Sequence, residues 1–133
     1  MIKKLIIFSV FVIISLFLPI PSYVELNDLA IIYGVGVSCE QEEVNLYLKE
    51  VIPVKAEQGI EYQYHYYQSS GKDIQLSYEK LNSKIKKKLY LNKAKFLVTN
   101  CKTTESIINE LRLKDVKIYH NNENILKEVK KIN

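Results

Sequence analysis

Two cysteines in 133 residues are too few for a disulfide-dense scaffold, and they form no close C-x-x-C pair of the kind that announces a zinc site. Four glycines and three prolines exclude a collagen-like repeat and a low-complexity linker. The two histidines, His65 and His120, show no H-x-x-x-H spacing. A metal site built from His65, His120, Cys39 and Cys101 would consume every such residue in the chain, so neither a metal nor a cofactor is expected. Charge of one sign is also lacking: 19 Lys and Arg face 15 Asp and Glu, and Lys3 and Lys4 belong to the extreme N-terminus. Arg112 is the sole arginine. A phosphate-reading surface leans on the planar fork of Arg, so nucleic acid is not an expected partner. Neither a G-x-S-x-G elbow nor a glycine-rich phosphate loop occurs, and Glu42-Glu43 suits a solvated turn better than a catalytic pair. No residue is marked for catalysis, and the chain reads as a non-enzyme.

What is present is an ordinary globular body behind an apolar start. Hydrophobic residues make up 47% and charged residues 26%, which rules out wholesale disorder. Lys3-Lys4 forms a basic n-region, and residues 5–18 carry no charge and only Ser9 and Ser15 as polar groups. Pro19 and Pro21 then end the run. This pattern predicts a signal peptide or a short signal anchor over residues 1–22, since a spanning helix wants roughly 20 apolar residues. The positive-inside rule leaves the two lysines in the cytoplasm and the body, residues 23–133, outside it. Ser22, after Ile20 and Pro21, makes a poor processing site, which favours retention of the segment.

The body predicts an α/β domain, with α+β as the alternative: one small domain whose mixed sheet has about five strands and three helices, in the order β-β-β-α-β-α-β-α. Residues 29–37 (LAIIYGVGV) form a continuous β-branched run and read as a buried strand. Gly34 and Gly36 bare one face of it, for a close backbone approach or a bend. Residues 39–43 read as a turn, and Val44, Leu46, Leu48 and Ile52 alternate with Asn45, Tyr47, Lys49 and Val51 in a half-buried strand ending near Pro53. Residues 61–68 (EYQYHYYQ) read as a third strand, with Tyr62, Tyr64 and Tyr66 packed on one face; ligand stacking is the alternative. Ser69-Ser70-Gly71 reads as a turn and Asp73 as a helix cap. Ile74, Tyr78, Leu81, Ile85 and Leu89 share one helical stripe. The lysines of residues 84–88 read as a solvated helix end, with contact to anionic lipid as the alternative. A strand over residues 94–99, a helix capped by Thr103 or Thr104, a strand over 116–120 and a helix capped by Asn121 or Asn122 complete the order. Cys39 and Cys101 each follow a strand. If those strands run parallel and adjacent, a disulfide is geometrically possible.

The segment Glu25, Leu26, Asn27, Asp28, Leu29, Ala30, Ile31, then Ile32-Tyr33-Gly34-Val35-Gly36-Val37, resembles the opening of the spore germination Ger(x)C family, the C subunits of GerA-type nutrient germinant receptors. Glu25 to Ile31 matches its E-L-N-D-L-A-I, and Gly34 and Gly36 match its strand end. A looser likeness follows in Gly71-Lys72-Asp73-Ile74 and in Leu89-Tyr90 ahead of Phe96-Leu97-Val98. The resemblance covers the N-terminal domain only. It implies a membrane-associated, extracytoplasmic component of a germinant receptor, at the spore inner membrane, whose partners are the membrane and membrane-embedded receptor subunits. Ile20 to Val24 stands where the family's lipidated Cys would be, so lipidation does not carry over. A secreted or envelope binding domain that shares only the fold is the other expectation.

Overall fold

Residues 1–17 and 28–132 are described by the computed structural model. Helix α1, Ile2–Phe17, has apolar side chains all round and buries none of them. Pro19, Pro21, Ser22, Tyr23, Glu25, Leu26, Asn27 and Asn133 lie outside the described residues.

Three long antiparallel strands follow: β1 (Leu29–Glu40), β2 (Glu43–Ala56) and β3 (Gly59–Gly71). Each outruns its sequence expectation. The β1–β2 turn contracts to Gln41 and Glu42, both with positive φ (39° and 73°), as a tight hairpin turn requires. β2 runs through Pro53 because its pairing with β1 stops at Glu50, so a missing N–H costs no ladder bond on that open edge. Ser69-Ser70-Gly71 is strand and not turn: the Ser69 hydroxyl donates to the Ser77 carbonyl (2.5 Å), and the Ser70 hydroxyl donates to Asn45 Oδ1 (2.7 Å).

Asp73 caps α2 (Ile74–Lys84), its carboxylate accepting the Leu76 N–H at 2.8 Å. The helix stops five residues before Leu89, with Ile85 already extended. Leu89 is buried instead on a short strand, β4 (Lys88–Tyr90), which pairs parallel with residues 29–31. A buried Leu at i+4 satisfies a helical stripe and a strand equally, and no Gly or Pro marks the break.

The rest alternates: β5 (Phe96–Thr99), α3 (Thr104–Leu111), β6 (Lys117–His120) and α4 (Ile125–Lys131). Thr103 occupies the N-cap of α3 without a side-chain cap bond. Asn124, not Asn121 or Asn122, caps α4 by accepting the Lys127 N–H, while Asn121 turns back to accept the Glu123 N–H. The sheet order is β3-β2-β1-β5-β6, with β5 parallel to β1, β6 parallel to β5, and β4 on β1. Among the described residues, this six-stranded mixed sheet with four helices, α1 included, is the expected single small α/β domain with one strand more than foreseen.

Alternation along the strands makes two apolar layers. Val35, Val37, Leu46, Leu48 and Leu97 face α2 and α3, which supply Leu81 and Ile107. Phe96 and Val98 face α4, which supplies Ile125 and Val129. The two strand glycines serve the second layer. A Cβ on Gly34 would collide with the Phe96 ring, and one on Gly36 would come within 2.8 Å of Ile125 and Val129.

Candidate functional site

Strand β2 places two consecutive charged residues, Lys49 and Glu50, on opposite faces of the sheet. Both are buried, at 0% and 1% exposure. The sequence pattern puts Lys49 on a wet face. The structure corrects this, because α4 and the tyrosines cover that face.

Lys49 Nζ donates to the carbonyls of Ile132 (2.5 Å) and Val129 (3.4 Å), at the C-terminus of α4. Those carbonyls are orphans of the helix end, and a cation there also answers the helix dipole. The ammonium lies 4.4 Å from the Tyr64 ring centroid, with Tyr66 at 5.8 Å, Tyr33 at 5.9 Å and Phe96 at 6.0 Å. Tyr64 and Tyr66 therefore stand on one face, as their spacing demands, and wrap a cation from this same chain. Burial pushes the Lys49 ammonium below the ordinary lysine value.

On the other face, the Tyr67 hydroxyl donates to Glu50 Oε2 at 2.6 Å, and Lys87 Nζ donates to Oε1 at 3.4 Å. Burial, then the hydrogen bond and the charge of Glu50, pushes the Tyr67 phenol up to about 12. Lys49 is closed to a substrate, and Glu50, 1% exposed, reaches the surface only at the floor of a groove. Chemically, Lys49 fastens α4 to the sheet, and Glu50 fastens β3 and the segment after α2.

Accessible surface lies at the end of the β2–β3 hairpin. Residues 51–56 and 59–64 pair with each other beyond the reach of β1 and form a ribbon. It exposes Ile60 (65%) and Tyr62 (61%). At its base, a groove of about 370 Å³ is lined by Leu29, Ile31, Ile52, Pro53, Glu50 and Lys87. A second, of about 520 Å³, runs between β3 and the end of α2, along Tyr66, Tyr67, Lys84, Ile85 and Lys87. Both suit contact with another surface better than enclosure of a small molecule.

The resembling segment lies at the start of β1: Asp28 is exposed, Leu29 and Ile31 are half-buried, and Ala30 is buried. Cys39 and Cys101 form a disulfide with Cα atoms 5.3 Å apart, at the end where parallel β1 and β5 finish. His65 lies beside Glu50 on β2, and His120 beside Thr99, so the histidines are not brought together with the cysteines. No group of three or more His, Cys, Asp or Glu that could hold a metal occurs among the described residues. Sequence reasoning missed Lys49, Glu50 and Tyr67; the one available signal was a charged pair set inside the apolar strand Leu46 to Ile52.

A family model described as the spore germination protein N-terminal domain matches residues 22–111, from before β1 to the end of α3. No curated protein and no solved structure matches the chain.

Proposed function

Because the chain belongs to the family of spore germination protein N-terminal domains, we propose that it is a non-enzymatic, membrane-associated component of a nutrient germinant receptor, acting through protein–protein contacts. The match over residues 22–111 carries the reading. The molecule supports it in two ways. The charged residues Lys49 and Glu50 are spent on holding the fold, while the ribbon and its two grooves offer contact surface. Residues 1–22 act as a signal peptide or, left uncleaved, as an anchor with the body outside the cytoplasm. α1 has an apolar surface on all sides, none of it buried among the described residues, as suits a segment whose partner is lipid. At about 24 Å it is shorter than a hydrocarbon core of about 30 Å, and no helix among the described residues is long and apolar enough to cross a membrane.

The test is deletion of the gene followed by germination assays with several nutrients, restored by the intact chain. Loss of response to at least one nutrient supports a receptor role, and unchanged germination refutes it. Fractionation with N-terminal sequencing tests the anchor separately. A mature chain starting near Tyr23, found only in the soluble fraction, would leave a secreted binding domain as the better reading.

A further inference from the structure

The near balance of charge over the whole chain conceals a separation along the strands. β1, β4, β5 and β6 are parallel, so the segments leading into them all lie toward one end of the sheet, β4 starting level with Leu29 and β5 and β6 level with Gly34. The chain from the N-terminal segment enters β1 there, and the β2–β3 ribbon projects from the same end. Exposed lysines collect at it: Lys84, Lys86 and Lys88 where α2 gives way to β4, Lys93 and Lys95 ahead of β5, and Lys114 ahead of β6 with Lys117 at its start. Lys130 and Lys131 close α4 at this end too, where Lys49 holds the Ile132 carbonyl beside Gly34. The acids at this level are Asp28, Glu110 and Asp115, with Glu57 and Glu61 at the ribbon tip. The opposite end reverses the sign. Glu40, Glu42 and Glu43 at the first turn, with Asp73, Glu105 and Glu123 at the helix starts, outnumber the cations there, which are Lys72, Lys102, Lys127 in the first turn of α4, and Lys80, whose ammonium reaches the Ser70 carbonyl at 2.7 Å.

Complementing helix dipoles accounts for Lys84, Lys130 and Lys131. It does not account for Lys93 and Lys95, which precede a strand, or for Lys117, which begins one. Ten residues, 18–27, separate α1 from Asp28, and even fully extended they reach only about 35 Å. An anchor in the membrane therefore keeps the lysine-rich end, not the acidic end, nearest the lipid. Lysines close to an anionic surface are attracted to it, within a Debye length of about 10 Å.

We propose that the lysine-rich end of the sheet lies against anionic lipid headgroups, so that the domain stands on the membrane with its Glu40–Glu43 turn pointing away. The inference rests on the membrane association proposed above, and its test separates the two. The full chain is sedimented with vesicles of phosphatidylcholine alone and with vesicles containing about a third phosphatidylglycerol. The expected result is at least tenfold stronger binding to the anionic vesicles at 0.1 M salt, lost at 1 M, where the Debye length is about 3 Å. Joint replacement of Lys84, Lys86, Lys88, Lys130 and Lys131 by Gln removes that gain, whereas Lys72→Gln with Lys102→Gln keeps it. The salt titration reads the same gain from the unaltered chain should the fivefold variant lose its fold. Binding to phosphatidylcholine with no anionic gain overturns this inference and leaves the anchor standing. An anionic gain without phosphatidylcholine binding does the reverse. Equal loss from both sets of variants also overturns it.

Discussion

Lys49 and Glu50 are consecutive in one strand and equally buried, but the two faces of the sheet hold them differently. Glu50 lies on the face covered by α2, an eleven-residue helix with its own cap and buried stripe. It has an ionic partner, Lys87, and a phenol donor, Tyr67. Lys49 lies on the face covered by α4, seven residues long. It donates to backbone carbonyls at the end of α4, and rings surround the ammonium. A helix of two turns does not hold itself together in water. On one face, then, the helix stands on its own cap and buried stripe, and the charge takes its partners Tyr67 and Lys87 from outside the helix. On the other, the charge secures the helix. The matched family region ends at Leu111, so Glu50 and its partners lie inside it, whereas the helix that Lys49 holds lies beyond it.

The sharpest way to break this comparison is to remove Lys49. Lys49→Ala takes away two hydrogen bonds from a charged donor and the contact with four rings, an expected loss of about 3–5 kcal/mol. Hydrogen exchange should quicken first across residues 125–132, before the rest of the sheet. Denaturant melts and exchange rates check both. Uniform loss of protection would show that α4 and the sheet are one cooperative unit.

Leu81→Ala is the counterpart on the α2 face. Leu81 is 2% exposed, and a filled core position costs about 2–5 kcal/mol on truncation. Because α2 is the support on that side, the midpoint of the whole domain should fall with no separate early phase. An unchanged melting curve would remove α2 from the core.

Much of this was legible in the chain and some was not, for identifiable reasons. Asp73 signalled the start of α2, because a carboxylate ahead of an apolar stripe has one obvious use. The two glycines of β1 signalled a close approach, and Phe96 and α4 make it. The end of α2 was invisible, since Ile85 and Leu89 fit both a helix and the strand that replaces it. Lys49 was read as wet because alternation assigns each residue a face but does not say whether that face is covered. What covers it is a short helix some eighty residues later in sequence, which no local pattern can report.

Alkaline titration separates the two sites by sign. Lys49 is lowered in the folded state, so between that value and the ordinary 10.5 the unfolded chain binds more protons, and stability rises with pH. Tyr67 is raised to about 12, so between 10.0 and about 12 the folded chain keeps a proton that the unfolded chain loses, and stability falls. The Tyr67 contribution amounts to at most about 3 kcal/mol across that window. Lys49→Met should flatten the rising limb, and Tyr67→Phe should soften the falling one. Tyr47, Tyr66 and Tyr78 are pushed up as well and preserve part of that fall. Stability measured from pH 8 to 12 on the three proteins decides it, and identical profiles would deny that the faces differ.

The smallest effects lie within the lysine run itself. Lys84, Lys86 and Lys88 are exposed, and each change to Gln should stay within about 0.5 kcal/mol of the unaltered chain. Lys87 sits among them but reaches Glu50 at 3.4 Å, with its own side chain 40% exposed and that of Glu50 2%. An ion pair open to water on one side is worth little, so Lys87→Gln should cost no more than about 1 kcal/mol. Size alone will not distinguish it from its neighbours; coupling will. Once Glu50 is replaced by Gln, the partner that Lys87 served is gone, and Lys87→Gln should then cost nothing further. The cost of Lys86→Gln should be the same with either residue at position 50. A double-mutant cycle at pH 7 measures both. Equal coupling for Lys86 and Lys87 would mean that Glu50 senses the summed charge of the run and has no fixed partner on its face.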